Sequence, residues 1–160
     1  MTTKHLQNFC AFRHQCDALN APFSVGEYTY ATDRRIAVRV PRIESVEEVA
    51  FPANIASVFQ VAHEDLPVAL PVTKCDWCGD GAALCAHCGH EGPCKRCDGK
   101  GYIGAMGIDV LVGAQTFAAR YIQLVARLPG LQFYNSTAIN GPAWFTFTGG
   151  EGVLMPLSSK

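Results

Sequence analysis

Eight cysteines stand in this 160-residue chain, and six of them fall between residues 75 and 97. They form three Cys-x-x-Cys pairs: Cys75/Cys78, Cys85/Cys88 and Cys94/Cys97. Each pair sets two thiolates on one tight turn. Cys78 and Cys88 are followed directly by Gly79 and Gly89, which relax the backbone so that amides can face the sulfurs. Two such pairs brought together supply the four sulfurs of a closed tetrahedral zinc site. The fifteen residues between Cys78 and Cys94 fit a known zinc spacing, two such pairs set 15–20 residues apart. The chemistry expected here is structural: a zinc ion that folds a small ribbon with no apolar core of its own.

Rival chemistries fit less well. Pro93-Cys94-Lys95-Arg96-Cys97 matches the P-C-x-x-C half of a zinc deaminase signature, but the H-x-E half is missing, because His90 is followed at once by Glu91. His90-Glu91-Gly92-Pro93-Cys94 is not the HExxH of a metalloprotease either. A catalytic zinc keeps an open position that an all-cysteine site lacks. A redox pair is expected beside a βαβ pattern, and none flanks the stretch. Spacing alone does not separate zinc from an iron–sulfur cluster; the glycines after the pairs favour zinc. No nucleophile–base constellation stands out, so the sequence predicts no enzyme.

The sequence Cys94-Lys95-Arg96-Cys97-Asp98-Gly99-Lys100-Gly101 resembles the CxxCxGxG repeat of the DnaJ cysteine-rich module, and the stretch after Cys75 resembles it loosely. In that module the first and last repeats share a metal, which implies Cys75, Cys78, Cys94 and Cys97 for one zinc. The module has four repeats and this chain three. A second zinc on Cys85 and Cys88 therefore needs His90, His87 or a ligand from elsewhere. A sequential site, Cys85/Cys88 with Cys94/Cys97, stays open.

The cysteines need a scaffold, and the flanks supply one. Hydrophobic residues make up 49% and charged residues 17% of the chain, the balance of a folded domain. A formal net charge of −1 excludes a surface that is basic throughout, though not a local basic face. The first residues hold no unbroken apolar run, which predicts no secretory leader. No apolar stretch approaches the roughly 20 residues of a membrane span. A cytoplasmic location follows, where clustered thiols bind metal more often than they form disulfides.

Leu6, Phe9, Phe12, Cys16 and Leu19 recur at three- and four-residue steps, predicting an amphipathic helix over 3–19 with Cys16 on its buried face. Cys10 and His14 could clasp a metal on that helix, but such a pair is ordinarily plain packing. Residues 23–42 alternate and are rich in Val, Ile and Tyr, predicting two strands about a turn. A short helix or extended segment is expected over 52–61. Beyond the cysteines, 103–113 reads as a strand and 115–128 as a second helix stopped by Pro129-Gly130. Residues 131–136 and 143–157 predict three more strands, with turns at Asn140-Gly141 and Gly149-Gly150. That order predicts an α+β fold with a mostly antiparallel sheet.

The stretch YATDRRIAVRV, residues 30–40, resembles the ATDGHRLA strand of the bacterial DNA polymerase sliding clamp. FAARYIQLVARLPG and AWFTFTGGEGVLMPL resemble that clamp's F-x-x-RYL helix and its C-terminal strand ending in MPMRL. The resemblance covers roughly residues 4–60 and 105–158, about one clamp domain, which implies a discontinuous clamp-like domain over 1–72 and 104–160 with a zinc ribbon inserted at 73–103. It departs from the clamp in lacking Gly-His in ATDRRIA and the terminal Arg-Leu. One domain also stands where a clamp subunit has three.

The resemblance implies a non-enzymatic DNA-metabolism accessory protein, with two helices lining a path for double-stranded DNA and a sheet outside. Replication proteins would dock through short peptide motifs in a pocket with two walls: Thr32, Arg35 and Ile36 on one, Val153, Met155, Pro156 and Leu157 on the other. Ordinary sheet packing is the plain alternative for each. Lys4, Arg13, Arg120 and Arg127 lie on the two expected helices and are the candidate DNA contacts, against a plain reading as solvated charges. A ring around DNA would need several such domains, hence a homo-oligomer or a partner. The second function class is a pure interaction module of the same fold that holds a protein partner without touching DNA.

Overall fold

The computed structural model describes residues 2–11, 19–49, 55–74, 94, 102–104 and 109–157. The chain is α+β with a mostly antiparallel sheet. It divides into two compact units, Met1–Val68 with Leu128–Lys160, and Ala69–Arg127. The second unit is wider than the 73–103 expected of the insert, since it also takes in the following hairpin and helix.

The first unit is built on a six-stranded sheet. Its strands are β1 (Phe23–Val25), β2 (Tyr28–Thr32), β3 (Ile36–Pro41), β8 (Gln132–Tyr134), β9 (Ala143–Phe147) and β10 (Gly150–Leu154). They lie in the order β1-β2-β3-β10-β9-β8, every pair antiparallel. Two three-strand meanders, one from each end of the chain, therefore meet along β3 and β10. The seam pairs Arg39 with Glu151, Val38 with Gly152, Ala37 with Val153 and Ile36 with Leu154.

Period-two alternation sorts the side chains into two faces. One carries Ile36, Val38, Phe133, Phe145 and Leu154, all at most 1% exposed. The other carries Phe23, Tyr30, Ala37 and Val153, which form one apolar cluster with Leu19, Ile55 and Phe59. Ile55 and Phe59 belong to a 3-10 turn, Ile55–Phe59, that packs over this second face.

Both outer strands are covered. Ser24 of β1 donates its amide to Glu47 and accepts from Val49, at 2.9 and 3.0 Å. Along β8, Val68 donates to Phe133 at 2.6 Å and Glu64 to Asn135 at 2.9 Å. Neither edge of the sheet is left as an open template for another strand.

The first stretch holds three strands where two were expected. The connection Gly26-Glu27 reverses the chain within the alternating run, with Gly26 at φ 58°, a conformation glycine adopts without a Cβ clash. The expected 3–19 helix is also corrected. Only α1 (Thr3–Leu6) and a 3-10 turn, Gln7–Phe9, form before the backbone goes extended at Cys10. The three-residue step from Leu6 to Phe9 suits a 3-10 turn as well as an α-helix. The Ala11 amide is taken by the Leu19 carbonyl at 2.8 Å, which a continuing helix would forbid. Residues 12–18, with Phe12, Arg13, His14 and Cys16, lie outside the described residues.

The second unit holds β4 (Val72–Lys74) paired with β5 (Tyr102–Gly104), and β6 (Asp109–Val112) paired with β7 (Gln115–Ala118). Helix α2 (Ala119–Val125) follows β7 directly, so the helix expected from 115 starts four residues later. Gln115, Thr116 and Phe117 pair with Val112, Leu111 and Val110, and this hairpin overrides the helical spacing that continues into them. Phe117, Ile122 and Val125 are fully buried. The expected 103–113 strand is likewise divided between β5 and β6. Among the described residues no helix is long and apolar enough to cross a membrane.

Candidate functional site

The tip of the β2–β3 hairpin is built from side chains that hold its backbone. Thr32 donates its hydroxyl to the Ile36 carbonyl at 2.7 Å, while Asp33 accepts the amides of Arg35 and Ile36 at 2.9 and 3.0 Å. The Arg34 amide donates to the Thr32 hydroxyl at 3.1 Å, and Arg34 sits at φ 75°. Both Arg34 and Arg35 are exposed.

Beside this tip the chain leaves β10 at Met155, whose amide donates to the Arg35 carbonyl at 2.8 Å. The 3-10 turn Ile55–Phe59 stands opposite and contributes to the same concavity. Together they enclose an apolar groove of about 340 Å³, lined by Thr32, Arg34, Arg35, Ala37, Val58 and Met155 among others. That volume is within the roughly 300–1,000 Å³ of ordinary ligand sites. Val58 and Met155, 41% and 40% exposed, are the apolar side chains it offers most openly.

A polar network fixes the 3-10 turn. Arg39 donates its Nε to Glu151 Oε1 at 2.8 Å, and Trp144 Nε1 donates to Glu151 Oε2 at 2.8 Å. The Arg39 guanidinium lies 4.5 Å from the Phe59 ring centroid and 4.6 Å from that of Tyr28. Burial opposes the charge of Arg39, but the hydrogen bond and charge of Glu151 outweigh it and hold its pKa above the usual value. A cation held between two rings pins Phe59, and with it the wall carrying Ile55 and Val58, to the sheet.

Cys10 lies behind the hairpin tip. Desolvation by burial pushes its thiol up to about 11, against a hydrogen bond at the Thr32 backbone and with the charge of Asp33 adding to the rise. Such a thiol is protonated at neutral pH and a poor nucleophile.

Of the seven residues assigned to a pocket, Thr32, Arg35, Ile36, Val153 and Met155 all border this groove. Two of them serve mainly as core. The register sends Ile36 to the opposite face, where it is 1% exposed, and Val153 is 2% exposed at the groove floor. Pro156 is buried and Leu157 half-buried, and neither borders the groove. Sequence reasoning missed Arg34, Ala37, Ile55 and Val58. Arg34 and Ala37 stand inside the quoted YATDRRIAVRV stretch, and the short element expected over 52–61 was the one hint of the opposite wall.

Of the seven candidate metal ligands, Cys94 is described and is buried. Cys75, Cys78, Cys85, Cys88, Cys97 and His90 lie outside the described residues. Among the basic candidates, Lys4 is exposed on α1 in the first unit, while Arg120 and Arg127 are exposed in the second. Arg120 rests over Tyr121, its guanidinium 4.6 Å from the ring centroid and 2.8 Å from the hydroxyl. Arg13 lies outside the described residues.

Comparison with known proteins gives no match to a family model, to a curated protein or to a solved structure.

Proposed function

We propose that this chain is a non-enzymatic protein-interaction module of DNA-clamp-like fold, which grips a short linear segment of a partner in the groove beside β3 and β10. The observation that carries the reading is the groove itself. Residues assigned to two walls from separate ends of the sequence border one apolar concavity. It has apolar side chains to receive anchors and backbone close by to orient them, the usual make-up of a peptide groove. On the clamp resemblance, the partner is a replication protein.

The cysteine-rich segment, on this proposal, is a ribbon folded around structural zinc. Three pairs of soft thiolates suit zinc, and Cys94 is buried as a ligand would be. Pairing of β4 with β5 sets Lys74 opposite Tyr102, so the segment leaves and re-enters through a narrow neck. Zinc would supply folding energy and no reaction step.

DNA binding is the second reading. It is favoured by the exposure of Arg120 and Arg127 on a helix and turn without a single acid. The covered sheet edges weigh against a ring closed by strand pairing. Duplex binding would show as affinity falling with salt, at a log–log slope of about −0.9 per phosphate contact.

Site-specific photocrosslinking tests the groove. A benzophenone side chain placed at Val58 or Met155 should capture a partner, whereas one at Ile139, exposed on the same unit, should not. Equal capture from all three positions, or from Ile139 alone, would refute the groove reading.

A further inference from the structure

The groove is apolar within but charged at one rim. Arg34 and Arg35 border it side by side, and no carboxylate is among its described lining residues. Neither guanidinium has an ion-pair partner among the described residues. The neighbouring Asp33 directs its carboxylate at the amides of Arg35 and Ile36, capping the turn. Among the described residues, these two arginines on an apolar concavity present a positive charge that no carboxylate pairs with.

Arg34 adds an independent signal. It is one of two described non-glycine residues at positive φ, and the other is an asparagine, Asn140. Asparagine visits that region readily; arginine does so at a cost, and glycine is the residue that a purely structural turn would favour there. An arginine held in an unfavoured conformation beside a groove points to a use for its side chain.

Resting on the peptide-groove reading, the geometry points to a specific partner chemistry: a linear segment whose apolar anchors are flanked by Asp or Glu. The anchors fill the space over Ala37 and Val153 between Val58 and Met155. The flanking carboxylate meets Arg34 and Arg35, which can take it through paired N–H donors. Lysine-flanked segments are repelled at the same rim, so the arginines select as well as attract.

The test is selection of random dodecapeptides displayed on phage, carried out on the 160-residue chain, on Met155→Glu, and on the double variant Arg34→Gly/Arg35→Gln. Wild-type protein should enrich apolar pairs with Asp or Glu within three residues, and the double variant should lose that acidic preference. A fluorescein-labelled selected peptide should bind about two- to fivefold more weakly for each arginine removed, with the difference shrinking as salt rises. Arg34→Gly alone should leave the melting temperature unchanged or raised by up to about 4 °C, since glycine relieves the strained φ. Peptides enriched without acids, unchanged affinity in the double variant, or a lowered melting temperature in Arg34→Gly overturns the acidic preference and leaves the groove standing. Failure to enrich peptides, or enrichment that Met155→Glu does not diminish, overturns both. Concentration-dependent dimers lost in Met155→Glu would assign the groove to a second copy of this chain instead.

Discussion

The amide of Met155 donates to the carbonyl of Arg35 at 2.8 Å, so residues 120 positions apart in sequence flank one groove through a single backbone hydrogen bond. The bond continues the β3–β10 ladder one step past its last paired residues, Leu154 and Ile36. It is made by backbone alone, so the side chain of Met155 is free to serve the groove. Met155→Glu should therefore leave thermal stability within about 0.5 kcal/mol of wild type, as for an exposed side chain. It should at the same time abolish partner capture by the groove. Joint loss of stability and capture would reassign Met155 to the core.

Close packing at the seam sets a second expectation. A Cβ added at Gly152 would come within 2.5 Å of the Phe145 ring and 2.9 Å of the Ala37 carbonyl. The carbonyl belongs to the β3 backbone and cannot swing aside as a flexible side chain could. Gly152→Ala should destabilise the first unit by about 1–3 kcal/mol, the usual cost of overpacking, as read by denaturant midpoint. A neutral substitution would mean that β3 and β10 separate more easily than their register implies.

Cys10 gives a pH dependence with a defined sign. Its thiol lies at about 11 in the fold against an ordinary 9.0, chiefly through burial, so the folded chain holds the proton more tightly than the unfolded one. The stability this confers is whole below pH 9 and is lost as pH rises toward 11. Urea midpoints of wild type and Cys10→Ala should therefore converge on raising the pH from 8 to about 10.5. Alkylation of Cys10 in the native protein should also be slower at pH 8 than in urea. Midpoints that fall in parallel would show that other groups govern the alkaline limb.

The strands were readable from sequence because Ile36–Pro41 and Ala143–Phe147 alternate under strong β-branched and aromatic preference. The groove was only half readable. Its β3 side lies in the first of those strands, and its β10 side in Gly150–Leu154, within the 143–157 stretch also read as strand. Ile55 and Val58 reach it on a five-residue 3-10 turn held by Arg39 against Phe59, a long-range contact with no local signature. The helices were the least readable part. Leu6 and Phe9 fit two helical periods, and the 115–118 segment yields to a hairpin partner that local spacing cannot reveal.

The metal is tested by composition. Elemental analysis should find one or two zinc atoms per chain, and Cys94→Ser should lower that number while leaving the first unit's transition in place. An apparent zinc affinity of about 10–16 kcal/mol is also the folding energy of a small ribbon, so the ligand substitution should expose 75–101 to protease. Iron in place of zinc, or disulfides between the pairs, would sink the structural-zinc reading.

The neck formed by β4 and β5 permits a sharper test of modularity. Thr73 pairs with Ile103 and Lys74 with Tyr102, directly across an antiparallel ladder. Two strands in that register are closed by a two-residue loop, for which Asn-Gly is a favoured sequence. Replacing residues 75–101 by Asn-Gly should then give a continuous hairpin without forcing either strand out of register. Because the sheet of the first unit draws on residues 23–41 and 132–154, none of its strands is removed. The shortened protein should bind no zinc, unfold in a cooperative transition, and still crosslink its partner from position 155. If cooperative unfolding disappears, the cysteine-rich segment is part of the main core. If unfolding stays cooperative but crosslinking at 155 is lost, the segment takes part in binding.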